Sequence, residues 1–326
     1  MSIIAYAAYS KNDEIRFNSS SGGIFSEMAY YVYKLNGIVA GAAFDKDYKS
    51  VSHILTDNSE NLKKLTTSKY LQSSFTIHKD IESRLKEGRT VLCCGTPCQI
   101  AGLKTFLKKE YENLLTVDFI CHGTPMQKVW EKYMNWQEEK HGDKVSYVNF
   151  RSKDNGWSNY LFVLLFGNNK EYKQTCDKDL YMRLFLNNMC LSNGCYECKF
   201  KGDNKFSDIT IGDFWGVDSI APEMNDEKGV SLVTINTEKG IKLFNAISEN
   251  LIIKEVDERQ AFSYNICALQ PMQKPENYND FCNDIDLLPF DNLAKKYIPK
   301  SSIKTRLKRY KIVKDGIKLK KRFLSK

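Results

Sequence analysis

The sequence has no apolar run near the roughly 20 residues that cross a bilayer. Its opening, MSIIAYAAYSK, has too short an apolar stretch and no basic front for a secretory leader. A cytoplasmic location is expected on that basis. The ten cysteines are then expected to bind metal or react as thiols rather than to form disulfides. Neither a P-loop nor a G-x-G-x-x-G fingerprint occurs, so nothing here licenses a Rossmann assignment. Internal repeats and low-complexity linkers are absent as well. Wholesale disorder is excluded by composition, since apolar residues make up 42% and charged residues 27% of the 326 residues.

Net charge is small except at one end. The chain carries a formal +8, but residues 301–326 hold eleven Lys or Arg against the single acid Asp315, leaving the preceding 300 residues at −2. The body is nearly neutral, and no nucleic-acid partner is expected. In the tail, Leu307, Tyr310, Ile312, Val313, Ile317, Leu319, Phe323 and Leu324 interleave with the basic residues. That pattern suits an anionic membrane surface, which would make the protein peripheral there. It equally suits a solubilising tail.

Hydrophobic patterning alternates between periods of 2 and 3.6. Strands are predicted at Ile3–Ala7, Ile38–Phe44, Thr90–Cys94, Leu114–Ile120, Val145–Phe150, Leu161–Phe166, Asp208–Ile211 and Val230–Ile235. Helices are predicted at Ile24–Leu35, Cys98–Lys109, Gln127–Glu139 and Asp179–Met189. The alternation predicts an α/β fold with a mixed sheet flanked by helices.

The cysteines cluster. Cys190, Cys195 and Cys198 form C-x4-C-x2-C, with Gly194 before the second. The spacing suits an iron–sulfur cluster loop, but a C-x2-C knuckle also suits tetrahedral zinc, and spacing alone leaves both open. Three structural thiols in a turn is the plainer alternative. Cys98 follows a strand and a Gly-Thr-Pro turn at a predicted helix start, where free amides favour a thiolate. Cys121 ends the next strand. Both sit where an open α/β sheet gathers ligand chemistry, so they are candidate neighbours. Cys93 and Cys94 lie inside a strand and are expected to be buried. Cys98 with His122 also permits a nucleophile–base pair, although with four histidines in the chain such proximity carries little weight.

Asn18-Ser-Ser-Ser-Gly-Gly-Ile leads into the first helix. Its hydroxyls and glycines are expected to supply an N-cap and free amides, suited to a pyrophosphate or a flavin edge. A capped helix with a flexible lead-in is the alternative.

Several segments together resemble the coenzyme F420 hydrogenase/dehydrogenase beta-subunit family. They are SSSGGIFSEMA at 19–29, SKYLQSS at 68–74, GRTVLCCGTPCQIAGLK at 88–104, DFICHGTP at 118–125, FRSKDNGW at 150–157, CLSNGCYECKFKG at 190–202, SDITIGDFWGVD at 207–218 and KGVSLVTINTEKG at 228–240. The resemblance implies two closely packed modules, here 1–80 with the flavin loop and 81–300 with the cysteine cluster, followed by the basic tail 301–326. It implies bound FAD and a 4Fe-4S cluster, with electrons passing between them and a deazaflavin or another organic substrate. Carried over by motif, Ser21, Gly22 and Gly23 match the flavin loop. Lys69, Gln72 and Ser73 match an element that would donate to flavin oxygens, and Thr96, Pro97 and Gln99 match the turn facing the cofactor. Cys190, Cys195 and Cys198 match the cluster loop. Cys98 and Cys121 compete as fourth ligand, Cys98 being preferred for its helix start. Asp208, Gly212, Asp213 and Trp215 match a sheet-end element, and Arg151, Lys153 and Trp157 match a turn that could receive an acidic substrate.

Family members often carry C-x2-C-x2-C runs ahead of the serine loop, whereas no cysteine precedes Cys93 here. One cluster is therefore expected, with electrons arriving from a separate redox partner such as a ferredoxin. Some relatives are linked to surface-polysaccharide pathways, so the family does not fix the substrate. The expected function is thus a flavin- and iron–sulfur-dependent oxidoreductase or electron-transfer subunit. The alternatives are a zinc-stabilised binding or scaffold protein in carbohydrate assembly, or a Cys98 nucleophile enzyme.

Overall fold

The computed structural model describes residues 4–202 and 205–299; the basic tail 301–326 lies outside them. The described strands are β1 Ile4–Ser10, β2 Ile38–Phe44, β3 Val51–Thr56, β4 Ser73–Ser74, β5 Val91–Gly95, β6 Leu114–Phe119, β7 Val145–Ser152, β8 Leu161–Phe166, β9 Glu171–Thr175, β10 Ile209–Asp213, β11 Ser231–Ile235 and β12 Leu251–Val256. Nine of them form one mixed sheet in the order β12–β1–β11–β10–β6–β5–β2–β3–β4. Its centre is parallel: β10 on β6, β6 on β5 and β5 on β2. Strands from both sides of residue 80 interleave in this sheet, so the expected module boundary runs through it.

Period-2 alternation explains why helices cover both faces. Leu92 packs with Met28, Val32, Val117 and Leu243 on one face, toward the helices Ile24–Lys34 and Glu238–Ile247. Its neighbours Val91 and Cys93 pack with Ile81, Ile100 and Leu103 on the other, toward His78–Lys86 and Pro97–Leu107. A strand buried on both faces reads as a continuous apolar run, as Val-Leu-Cys-Cys does. Asp208 is part of the frame. Its carboxylate accepts from Thr116 N (2.7 Å), Thr116 Oγ1 (2.6 Å) and Thr237 Oγ1 (2.7 Å), tying β6 to the lead-in of the helix at 238.

The remaining strands, β7–β8–β9, form an antiparallel sheet. It shares an aromatic core with the helices Gln127–His141, Leu180–Leu186 and Phe290–Tyr297, in which Trp130, Tyr133, Phe150, Phe162 and Tyr181 are buried. The eight predicted strands are all present within a few residues of their expected bounds. Strands β3, β4, β9 and β12 and the helices at 78–86, 238–247 and 290–297 go beyond the sequence expectation. In β9 (EYKQT) and the 78–86 helix (HKDIESRLK), too few apolar residues mark the buried side.

Candidate functional site

The parallel strands end on one side of the sheet, where β5 gives way to Thr96, β6 to Ile120-Cys121-His122 and β10 to Phe214-Trp215. A cavity of about 350 Å³ lies against these ends, as the topology of open α/β sheets leads one to expect, and within the usual size range of ligand sites. Of the residues predicted for cofactor or metal, Ser21, Gly23, Lys69, Ser73, Thr96, Gln99 and Cys121 line it. Gly22, Gln72, Pro97 and Cys98 do not, nor do the three cysteines of the 190–198 loop. A broader groove adjoins it, sharing Ser19, Ser26, Thr66, Thr67 and Arg151 as walls.

The serine loop is built differently from its expected form. Its hydroxyls serve the protein itself: Ser19 Oγ donates to Ile15 O (2.8 Å), Ser21 Oγ to Val230 O (2.8 Å), and Ser20 Oγ accepts from Ser68 N (2.7 Å). None caps the helix. Gly23 holds the N-cap position at φ +88°, in the left-handed region open to glycine. The Gly22 amide is not free either, because it donates to Ser231 Oγ at 2.9 Å. Lys153 clamps the loop from behind, donating to the carbonyls of Arg16 (2.6 Å), Ser21 (2.6 Å) and Lys228 (2.7 Å). Burial draws its pKa down to about 7. What the loop offers the cavity is its backbone and the first turn of the helix.

Across the cavity, Thr96 and Gln99 form a capping box. Thr96 N donates to Gln99 Oε1 (3.0 Å), and Gln99 Nε2 reaches on to Ser73 Oγ (2.9 Å). Pro97 takes the first helical position, where its missing N–H costs nothing. Gln72 is exposed, and its Oε1 accepts from Ser192 Oγ at 3.4 Å, toward the cysteine loop. Lys69 Nζ donates to Thr66 O (2.9 Å) and Thr67 O (3.3 Å). No carboxylate pairs with it among the described residues, and burial lowers its pKa to about 7. An ammonium so placed favours an anionic or oxygen-bearing ligand group. His53, which no motif singles out, also lines the cavity. Its Nε2 donates to Cys94 O at 3.1 Å, and burial pulls its pKa down to about 4.

The thiols divide into two groups. Cys121 lines the cavity, and burial pushes its pKa up to about 12, with Cys98 and Cys195 near enough to add to the rise. Residues 124–126 pair with 190–192 through the Pro125–Leu191 bridge, Ser192 N on Thr124 O (2.8 Å) and Met126 N on Cys190 O (2.8 Å). That pairing brings Cys195 Sγ to 3.4 Å from Thr124 N, which donates to it. Cys198 ends the same 3-10 turn, Asn193–Glu197. Cys98 is exposed at its helix start, with Sγ 3.1 Å from Thr96 Oγ1. Cys190 stands apart: it is fully buried in the aromatic core, where its neighbours are Tyr181, Tyr196 and Tyr278. Nor does the structure join His122 to Cys98. The imidazole packs on Phe185, ring centres 4.8 Å apart, and burial lowers its pKa. Among the described residues no three His, Cys, Asp or Glu side chains converge to hold a single metal ion.

The expected substrate-binding turn is occupied internally. Arg151 makes a two-pronged pair with Asp213 (2.8 and 3.1 Å), and Trp157 Nε1 donates to the same carboxylate at 2.9 Å. Burial works against the guanidinium charge, but Asp213 outweighs it and holds the pKa above the ordinary arginine value. Trp157 stacks on Trp215 with centroids 5.1 Å apart, and Trp215 lines the cavity half exposed. Arg151 thus reinforces the cavity wall, with its charge already partnered.

Residues 88–260 match the family described as the C terminus of the coenzyme F420 hydrogenase/dehydrogenase beta subunit, and the match takes in more than half of the chain. Among solved structures, a chain of the F420-reducing NiFe hydrogenase complex from Methanosarcina barkeri is similar, with a TM-score of 0.55 and 16% sequence identity. The match covers 82% of this chain and 89% of that one, and at this identity the likeness is one of fold. No curated protein matches the sequence. No helix among the described residues is long and apolar enough to cross a membrane.

Proposed function

This chain belongs to the coenzyme F420 hydrogenase/dehydrogenase beta-subunit family, an oxidoreductase family, and we propose that it joins a flavin in the strand-end cavity to an iron–sulfur cluster held by Cys98, Cys121, Cys195 and Cys198. One observation carries the reading: Cys121 belongs both to the cavity wall and to the thiol group formed with Cys98 and Cys195. The residues present fit both groups. The cavity has the size for a ring system, an ammonium that no carboxylate pairs with among the described residues, and an adjoining groove for the rest of a dinucleotide. A tetrahedral zinc would draw its sulfurs to about 2.3 Å of one point, and among the described residues no three such side chains converge in that way. A cube-shaped cluster needs its thiolates spread around it.

When bound, a flavin and a cluster would supply hydride and single-electron chemistry, and this chain's residues would orient and tune them. Lys69 would face an oxygen or anionic edge of the ring, while the Ser19–Gly23 backbone and the first turn of the following helix would take the phosphate side. Thr124 N, donating to Cys195 Sγ, favours its thiolate. Electrons would come from or go to a separate redox protein, with a deazaflavin or another small organic substrate at the flavin. Oxygen-free purification tests the whole reading. A brown preparation containing flavin and about four irons per chain is expected, with iron lost in Cys121→Ser and Cys195→Ser and kept in Cys190→Ala. A colourless protein containing zinc refutes it, as does iron lost only in Cys190→Ala.

A further inference from the structure

Three residues beyond Cys198, Lys201 leaves the cysteine turn and reaches back into the protein. Its Nζ donates to the carbonyl of Cys121 and, at 2.7 Å, to that of Cys267. Cys121 and Cys267 come from separate segments, and both line the cavity. The next residue repeats the attachment, with Gly202 N donating to Ala268 O at 2.9 Å. One ammonium therefore ties together the cysteine loop, the end of β6 and the short helix Ile266–Leu269. Lys199, two residues earlier on the same loop, is exposed. No carboxylate pairs with Lys201 among the described residues.

Resting on the cluster reading above, we propose that Lys201 is a positioning residue for the thiol site: it pins the ligand loop to the cavity wall and places a fixed positive charge beside the metal centre. Two backbone carbonyls fill the hydrogen-bonding capacity of the ammonium in part but leave its net charge uncompensated. Both of its carbonyl partners belong to cysteines, Cys121 and Cys267, so the charge is held at the backbone of two thiol-bearing residues. A fixed cation next to a redox centre stabilises the form carrying the extra electron, because the interaction in a partly buried site is only weakly screened. The sequence hides this role, since Lys201 reads there as one basic residue in Lys-Phe-Lys-Gly.

The test uses the full chain, purified without oxygen, as wild type, Lys201→Met, Lys201→Gln and Lys201→Arg. Iron per chain and the cluster midpoint potential, followed by electron paramagnetic resonance during redox titration, are the readouts. The potential is expected to become more negative in Lys201→Met and Lys201→Gln, and to return toward wild type in Lys201→Arg, which keeps the charge. Lys201→Gln keeps a hydrogen-bond donor, so it separates charge from anchoring should Lys201→Met fail to fold. An iron-loaded Lys201→Gln with the wild-type potential overturns the proposal. So does a Lys201→Arg that shifts as far as Lys201→Gln. If the wild-type chain takes up no iron, the cluster reading falls and this proposal with it; if it loads iron and the potentials coincide, this proposal alone falls.

Discussion

Replacing Asp213 by Asn tests whether the cavity wall is held by charge or by packing. The Arg151 side chain is 2% exposed and Asp213 17%, so the pair is largely cut off from water. Both guanidinium prongs and the Trp157 indole N–H converge on the one carboxylate. An amide at 213 keeps the shape but removes the charge and turns an N–H₂ toward a cation. Stranding one partner of a buried ion pair costs about 3–5 kcal/mol, a large share of the roughly 5–15 kcal/mol that holds a domain folded. The rings of Tyr160 and Trp215, 4.0 and 5.2 Å from the guanidinium carbon, offset part of that, by about 1 kcal/mol each at most sites. A net loss of about 1–3 kcal/mol is expected in urea unfolding of the cofactor-free chain, where ligand linkage does not intrude. Arg151→Met removes the charge instead, and the double variant should cost at least about 1 kcal/mol less than the two single losses together, since it leaves no stranded charge. Additive losses, or a loss below about 1 kcal/mol in Asp213→Asn, would show that the pair contributes little and that the stacked tryptophans hold the wall.

His53 makes a pH prediction of definite sign. Its native pKa is drawn down to about 4 from 6.5 by burial, so between those values the unfolded chain binds a proton that the native chain refuses. Stability is then complete above pH 6.5 and falls as pH drops toward 4, by about 3 kcal/mol in total at roughly 1.4 kcal/mol per pH unit. The difference in unfolding free energy between wild type and His53→Gln should change over that window and be flat above it; a flat difference throughout would show that His53 titrates in the native protein as it does in the unfolded chain. Gly22→Ala probes the serine loop, where an added Cβ would lie 2.5 Å from Ala8 O and 3.0 Å from Ser231 N, both backbone atoms. Overpacking of this kind costs about 1–3 kcal/mol, and flavin uptake should weaken with it, while wild-type stability and uptake would show that β1 and β11 yield easily.

The parallel centre of the sheet was legible because burial on both faces writes itself as runs such as Thr90–Cys94 and Leu114–Ile120. Edge strands and surface helices were less so. In β12, Leu251 is buried while Ile252 is 38% exposed, a pattern that local hydrophobicity cannot resolve. The cavity was legible through turn chemistry: Gly95-Thr-Pro-Cys and the serine–glycine run each mark a strand or loop passing into a helix. Their detailed use was not, because which hydroxyls turn inward depends on partners far along the chain, such as Val230 for Ser21 and Ser231 for Gly22. His53 and Lys201 left no trace for the same reason, each acting on a carbonyl at least 41 residues away.

The cysteine loop shows most directly what spacing can and cannot encode. C-x4-C-x2-C counts sulfurs along the chain, and a count carries no direction. Direction is set by the pairing of 124–126 with 190–192, which fixes the backbone at Cys190 and leaves its thiol among tyrosines. The same pairing carries Thr124 to Cys195 and so turns the second half of the motif toward Cys121. Gly194 has open space where a Cβ would stand, so the turn there is not sterically forced. The two candidate thiols from other segments, Cys98 and Cys121, are singled out by a different rule, the gathering of chemistry at parallel strand ends. Topology therefore points to the proposed site, and motif spacing supplies only the sulfurs that the fold then aims. Cys190→Ala against Cys195→Ser is the decisive comparison because the two positions are equal members of the motif and differ only in where the fold points them.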